Sequence, residues 1–161
     1  MNHKIQRISS ALFFVVVVGF SALAAEAQNT CDANSIVGPW RGLSSEGNGL
    51  LISFMSGGTA IGNVQTEVTL NPRLSVLTPS HDAWTYLGNC HYALTGIGLL
   101  YSIQTGKYTG YLKAKTTYTF DPANPNGLTG TDHIFIYDAK GNLAFEVPEG
   151  ATSFTRIIVE P

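Results

Sequence analysis

After the first 27 residues helical spacing is nearly absent, and apolar and β-branched residues recur in short runs separated by Gly, Pro, Asn and Asp. One stretch shows both faces: Tyr108, Leu112, Ala114, Tyr118 and Phe120 alternate with Thr109, Lys113, Lys115, Thr117 and Thr119. Successive side chains of a strand leave on opposite faces, so the first set is expected to face a core and the second to face water. Runs rich in Thr, Val, Ile, Tyr and Phe predict strands near 37–44, 49–55, 59–70, 83–87, 90–103, 107–120, 128–137, 142–147 and 152–159. Between them, Ser56-Gly57-Gly58, Gly88-Asn89, Thr105-Gly106 and the stretches 121–127 and 138–142 supply turn residues that tolerate positive φ or preset a bend. A meander of that many strands curls, and closure removes the edges that would otherwise recruit neighbours. The predicted fold is therefore all-β, a closed antiparallel up-and-down barrel of about eight strands. Gly96, Gly98, Gly110 and Gly130 are expected at bulges or bends of its wall. The stretches Ile97 to Tyr101 and Ile134 to Tyr137 are apolar on both faces, which predicts cover by a loop or by a second copy in a homo-oligomer.

The first residues have a different character. His3, Lys4 and Arg7 precede an uncharged apolar run from Ala11 to Ala25, and Ala25-Glu26-Ala27 fits the small-x-small pattern of signal peptidase. The run is short for a bilayer span and no basic flank follows it. Residues 1–27 are read as a signal peptide, leaving 28–161 as a single barrel domain that is secreted or periplasmic and has no membrane attachment after cleavage. In an oxidising compartment Cys31 and Cys90 are expected to pair; neither sits in a C-x-x-C or with a His at ligand spacing. The formal net charge of -2 provides no basic face for phosphates, so no nucleic-acid partner is expected.

Particular residues then suggest a family. Gly38-Pro39-Trp40-Arg41-Gly42, together with Arg156 near the chain end, resembles the calycin pattern, lipocalins included, in which a tryptophan of the first strand packs near an arginine of the last at the closed barrel end. Ser56-Gly57-Gly58-Thr59, Ser80-His81-Asp82-Ala83-Trp84, Tyr108-Thr109-Gly110 and Phe154-Thr155-Arg156-Ile157 resemble small secreted bacterial calycin-like or allene-oxide-cyclase-like barrels, over most of the chain after residue 28. Architectural relatives of such barrels diverge in what they do. Lipocalins bind apolar small molecules, allene oxide cyclases and spirotetronate cyclases steer a reactive polyene, and dirigent-type proteins steer phenoxy radical coupling. Unlike true lipocalins, this chain has no evident C-terminal helix and its strands are shorter. The resemblance gives Trp40 and Arg156 a structural role, the guanidinium stacking on the indole while donating to carbonyls at the barrel floor.

The chemistry-bearing residues are few. His81 and Asp82 follow a Pro-flanked loop, Pro72 to Pro79, and are expected at a barrel rim, Asp82 capping the turn and His81 solvated; His81 is the alternative general base there. Tyr86, Tyr92, Tyr108 and Tyr118 can bring phenols inside. Of Asp132 and His133 one must face inward, and an inward His133 or Glu67 would be expensive to bury unpaired. The catalytic candidates are thus Tyr118, His133, Glu67 and His81, and the expected lining of an interior cavity is Tyr108, Leu112, Tyr118 and Phe120. There is no G-x-S-x-G, no H-E-x-x-H and no dinucleotide fingerprint, so neither a metal nor a cofactor is expected. Three readings follow. The barrel binds a small apolar or aromatic molecule, or it is a cofactor-free cyclase or isomerase acting on a polyene or phenolic substrate, or it is an exported module filled by its own side chains.

Overall fold

The alternating pattern resolves into ten strands in a computed structural model that describes residues 30–64, 68–69 and 74–160. The signal peptide read at 1–27 and the candidate Glu67 lie outside the described residues. The strands are β1 (Gly38–Ser44), β2 (Gly49–Met55), β3 (Thr59–Val64), β4 (Val68–Thr69), β5 (Leu74–Leu77), β6 (Ser80–Gly88), β7 (His91–Ser102), β8 (Tyr108–Phe120), β9 (Gly127–Asp138) and β10 (Leu143–Arg156). They form one sheet in the order β4-β5-β7-β6-β3-β2-β1-β10-β9-β8, which a β7–β8 pairing closes on itself. Around the ring, eight antiparallel positions follow one another in chain order, a closed up-and-down barrel compatible with calycin-like architecture. β5 and β6 lie end to end against β7, with Thr78 and Pro79 between them, and β4 pairs with β5.

Three expectations change. The Pro72 to Pro79 loop contains a strand, β5. The two predicted strands at 142–147 and 152–159 are one, β10, whose ladder with β9 shifts register between Leu143 and Phe145 and again between Val147 and Gly150. The second irregularity accommodates Pro148, which has no N–H to give to a regular ladder. Of the glycines expected at bends, Gly110 adjoins a register shift and Gly98 faces the β5–β6 interruption, whereas Gly96 and Gly130 sit in unbroken ladders.

One end of the barrel is solid. Trp40, Phe54, Trp84, Tyr92, Tyr118, Phe120, Leu128 and Phe154 are buried there, with Phe54 edge-on to both Trp84 and Tyr118. The segment 31–37 runs beneath them and closes that end, Ile36 being fully buried. Its carbonyls accept from the wall: Trp40 Nε1 donates to Ile36 O at 2.8 Å, Tyr86 Oη to Cys31 O at 2.9 Å and Tyr92 Oη to Asp32 O at 2.5 Å. Arg156 lies over the Trp40 ring at 4.1 Å and donates to Ser35 O, Val37 O and Pro125 O at 2.6, 2.7 and 3.2 Å. The Cys31–Cys90 disulfide ties the same segment to the β6–β7 turn. A smaller apolar cluster of Leu100, Leu112 and Ile136 packs higher in the wall.

Away from this floor the wall is uneven. β1 ends at Ser44, opposite Thr152, so residues 143–150 of β10 pair with β9 alone. On the outside of β7 to β9, Ile97 and Leu99 remain exposed and Tyr111 stacks on Tyr137 with ring centroids 4.7 Å apart. Among the described residues no helix is long and apolar enough to cross a membrane.

Because a lysine cannot reproduce the guanidinium fork, Arg156→Lys is expected to lower the unfolding free energy by about 2 kcal/mol. Replacing both cysteines by serine removes closure of a long loop and is expected to cost about 4 kcal/mol. Urea unfolding followed by tryptophan fluorescence measures both, and changes below about 0.5 kcal/mol, the ordinary scatter of surface substitutions, would show that the floor does not depend on these ties.

Candidate functional site

Above the aromatic floor the inward-facing side chains stop filling the barrel, leaving a cavity of about 700 Å³. Among the described residues it opens at the end where the β1–β2 turn (Ser44 to Asn48) and the β9–β10 turn (from Asp138) lie. Its wall is mainly apolar: Leu50 and Ile52 from β2, Leu94 from β7, Leu112 and Ala114 from β8, Ile134 and Ile136 from β9. Phe154 of β10 contributes near the bottom and Phe145 near the mouth.

Set into this wall are Asp82, Thr116, Tyr118, Asp132 and Thr152. Asp82 faces inward because it shares strand parity with Trp84, whose indole belongs to the floor and donates to Thr59 O at 2.8 Å. Its cross-strand partner on β7 is Gly96, and a β-carbon there would stand 2.1 Å from Asp82 Oδ1, so only glycine leaves room for the carboxyl. The Ser80 hydroxyl beside it donates to Gly62 O at 3.2 Å, and Asp82 Oδ1 is buried with no hydrogen-bond partner. Burial pushes the Asp82 carboxyl up to about 6, against the opposing pull of Ser80 and of His81.

Asp132 enters the lumen from β9 and is paired in register with Thr116 of β8. Burial raises it too, while the Thr116 hydroxyl pulls the other way. Tyr118, two residues along β8, is almost completely enclosed. Burial drives its phenol far above the ordinary tyrosine range, and the charges of Asp132 and Asp82 add to the effect against Thr116. The phenol therefore keeps its proton at physiological pH and feels both carboxylates. The Thr152 hydroxyl, on the adjoining wall, is also buried without a partner. Chemically the site is an apolar cup whose depth holds a proton-bearing phenol, two desolvated carboxyls and hydroxyls with unused capacity.

The structure brings together only some of the residues singled out from sequence. Leu112 and Tyr118 line the cavity, while Phe120 lies below it in the floor. The expectation that Tyr108 faces the lumen is corrected: the ladder pairs Leu100 with Gly110 but Tyr101 with Tyr108, so Thr109 is an extra residue and inverts the parity. Gly110 takes a φ of +152 at this point, and a β-carbon would run into Tyr137 O. Thr109 thereby turns toward the lumen, and Tyr108 turns out against Tyr101. His133 also points outward, its Nε2 2.7 Å from Glu146 Oε1 and its ring beside Phe135. His81 is exposed on the outer face, between Ile61 and Ile97. Tyr86 and Tyr92 use their hydroxyls on the floor carbonyls. Asp82 does not cap a turn, and the signal in the sequence for its inward position is a count of two from Trp84. Asp132 is the inward member of the Asp132–His133 pair. Among the described residues no three His, Cys, Asp or Glu side chains converge as a metal site would require.

Comparison of the chain with protein-family models, with curated proteins and with solved structures finds no match in any of the three.

A raised carboxyl leaves a stability signature. Native Asp82 keeps a proton that the unfolded chain gives up, so between about pH 4 and pH 6 its contribution to stability falls as pH rises, and acidification restores it. Asp82→Asn removes this dependence. The stability difference between the parent protein and the variant, from unfolding at pH 4 and pH 8, should change by about 2 kcal/mol in that direction. A difference independent of pH would mean that the carboxyl is hydrated.

Proposed function

We propose that this chain is an exported barrel of calycin type that holds a small apolar or aromatic molecule in its lumen. The observation carrying this reading is the unfilled, mainly apolar space of about 700 Å³ between an aromatic floor and an open mouth, a volume in the range of small-molecule sites. A barrel serving only as a structural module would fill that space with its own side chains. Export accords with the Cys31–Cys90 bridge, since such bonds persist in oxidising compartments, and with the signal peptide read at 1–27.

A second reading, a cofactor-free cyclase or isomerase acting on a polyene or phenolic substrate, is favoured by one specific observation. A carboxyl near pKa 6 and a protonated phenol share a largely apolar lumen, the setting in which a positioned acid or base moves a proton to or from a bound substrate. In that case Tyr118→Phe would abolish turnover while leaving binding intact.

Titration of the protein spanning residues 28–161 with the neutral apolar fluorophore N-phenyl-1-naphthylamine tests the binding reading. One saturable site of micromolar affinity is expected. Ala114→Phe, which fills the lumen from mid-wall, should weaken it at least tenfold without moving the unfolding midpoint. Absence of saturable binding, or binding indifferent to Ala114→Phe, would sink the proposal.

A further inference from the structure

We infer that the natural guest is a protonated amine on an apolar or aromatic body, its ammonium seated at Asp82 and Asp132 and its body extending toward Phe145 at the mouth. This rests on the binding reading above and adds the chemistry of the guest's polar end.

Among the described residues the charge inventory of the lumen is one-sided: four carboxylates border it, Asp82 and Asp132 at depth, Glu46 and Asp138 at the mouth. Among the described residues no Lys, Arg or His borders it at all. Lys140, in the β9–β10 turn beside Asp138, is a basic charge outside the lining that acts at the mouth; His81, Lys113, Lys115 and His133 point outward and Arg156 is spent on the floor carbonyls. The mouth acids are engaged in turns, Asp138 accepting from Asn142 and Lys140 and Glu46 from Asn48, but engagement with neutral donors leaves their charge in place. A concave site bordered by one sign of charge, with low-dielectric walls, concentrates ions of the opposite sign. A carboxylate guest would enter against four like charges.

At depth, the structure leaves an acceptor waiting. Asp82 Oδ1 is buried with no donor, and an unmatched buried carboxylate is costly unless something supplies the missing hydrogen bond and charge. An ammonium supplies both, and Asp132 and the equally unpartnered Thr152 hydroxyl border the same lumen. A neutral alcohol brings a single donor and no charge. The absence of a β-carbon at Gly96 and Gly62 keeps this pocket open on either side of the carboxyl.

Titration follows from the same contacts. The groups acting at Asp82 are Ser80 and, from the outer face of the same strand, His81, while Tyr118 feels both Asp82 and Asp132. From the adjoining strands β3 and β7, Ala60, Gly62, Leu94 and Gly96 bring no charge. An ammonium pairs with the ionised carboxyl only, so amine affinity falls as pH drops through the Asp82 value of about 6. It holds at higher pH until the amine itself loses its proton. A neutral guest lacks this dependence.

The test uses 2-(1-naphthyl)ethylamine, the corresponding alcohol and 1-naphthylacetate, each titrated by calorimetry and by displacement of N-phenyl-1-naphthylamine from the protein spanning residues 28–161. At pH 7.5 the amine should bind at least 30-fold more tightly than the alcohol, and the carboxylate more weakly than either. From pH 7.5 to pH 5 the amine should lose at least tenfold while the alcohol stays level. In the near-isosteric double variant Asp82→Asn/Asp132→Asn, the amine-to-alcohol ratio should collapse to within threefold. Equal binding of amine and alcohol, a flat amine profile, or an undiminished ratio in the double variant would overturn the inference while leaving the apolar-cavity reading standing. Binding of the amine with no binding of the alcohol or the fluorophore would mean that charge alone holds it, and would overturn both the inference and that reading. Failure of every probe would remove both. The pH profile of the unaltered protein keeps the test decisive should the double variant not fold.

Discussion

Closure of one barrel end by Arg156 is the interaction on which the rest of the molecule depends. A ring of strands has no inherent top or bottom. This one acquires them because a guanidinium from the last strand stacks on Trp40 of the first and draws the carbonyls of residues 35 and 37 across the opening. The planar fork is suited to this, since it serves several acceptors in one plane while presenting a face to the indole. The contact also joins the beginning and end of the sheet, where β1 and β10 must meet for the meander to close. The aromatic floor, the buried Ile36 and the disulfide all sit around that junction. With one end plugged, the unfilled space lies at the other, and the solvent-open mouth is a consequence of where the arginine is.

Strand identity and closure are legible in the sequence because both follow from local pattern. The period of two along 108–120 and the turn clusters specify an antiparallel meander, and the resemblance of Trp40 with Arg156 to the calycin pattern indicates which end is shut. What escapes is decided by parity at single residues. One extra residue at Thr109 sends Tyr108 outward; Gly110 marks an irregularity there, but Gly96 and Gly130 carry the same mark and sit in unbroken ladders, so the mark does not say where parity inverts. Asp82 illustrates the reverse case: its inward position follows from counting two back from Trp84, but an aspartate facing an apolar interior runs against the usual cost of burial, and a turn cap is the cheaper expectation. His81 and His133, chemically the more suggestive side chains, both occupy the solvent face of their strands. In a barrel, chemical suggestiveness carries no information about which side of the wall a residue occupies.

The contrast between the two interior layers bears on function. In the floor the polar side-chain atoms are engaged, the Trp40 and Trp84 indoles and the Tyr86 and Tyr92 hydroxyls each meeting a backbone carbonyl. One layer up, Asp82 Oδ1 and the Thr152 hydroxyl have no such partner, although both are enclosed by protein. Native interiors rarely leave such groups idle. This fold satisfies its polar atoms at one depth and leaves carboxyl and hydroxyl groups unanswered at the next, which is why the candidate site is assigned to the middle of the barrel and not to its rim.

The short first strand has a further implication. Because β1 stops at Ser44 while β10 continues back to Leu143, the container has a notch in its side wall, bordered by Ala144, Pro148 and Ala151 and continuous with the mouth. On the proposed binding reading, a vessel notched in this way would discriminate by girth and by the chemistry of the buried head and be indifferent to length, since a long tail can trail out sideways. Guests sharing one headgroup but differing widely in chain length would then be admitted on nearly equal terms.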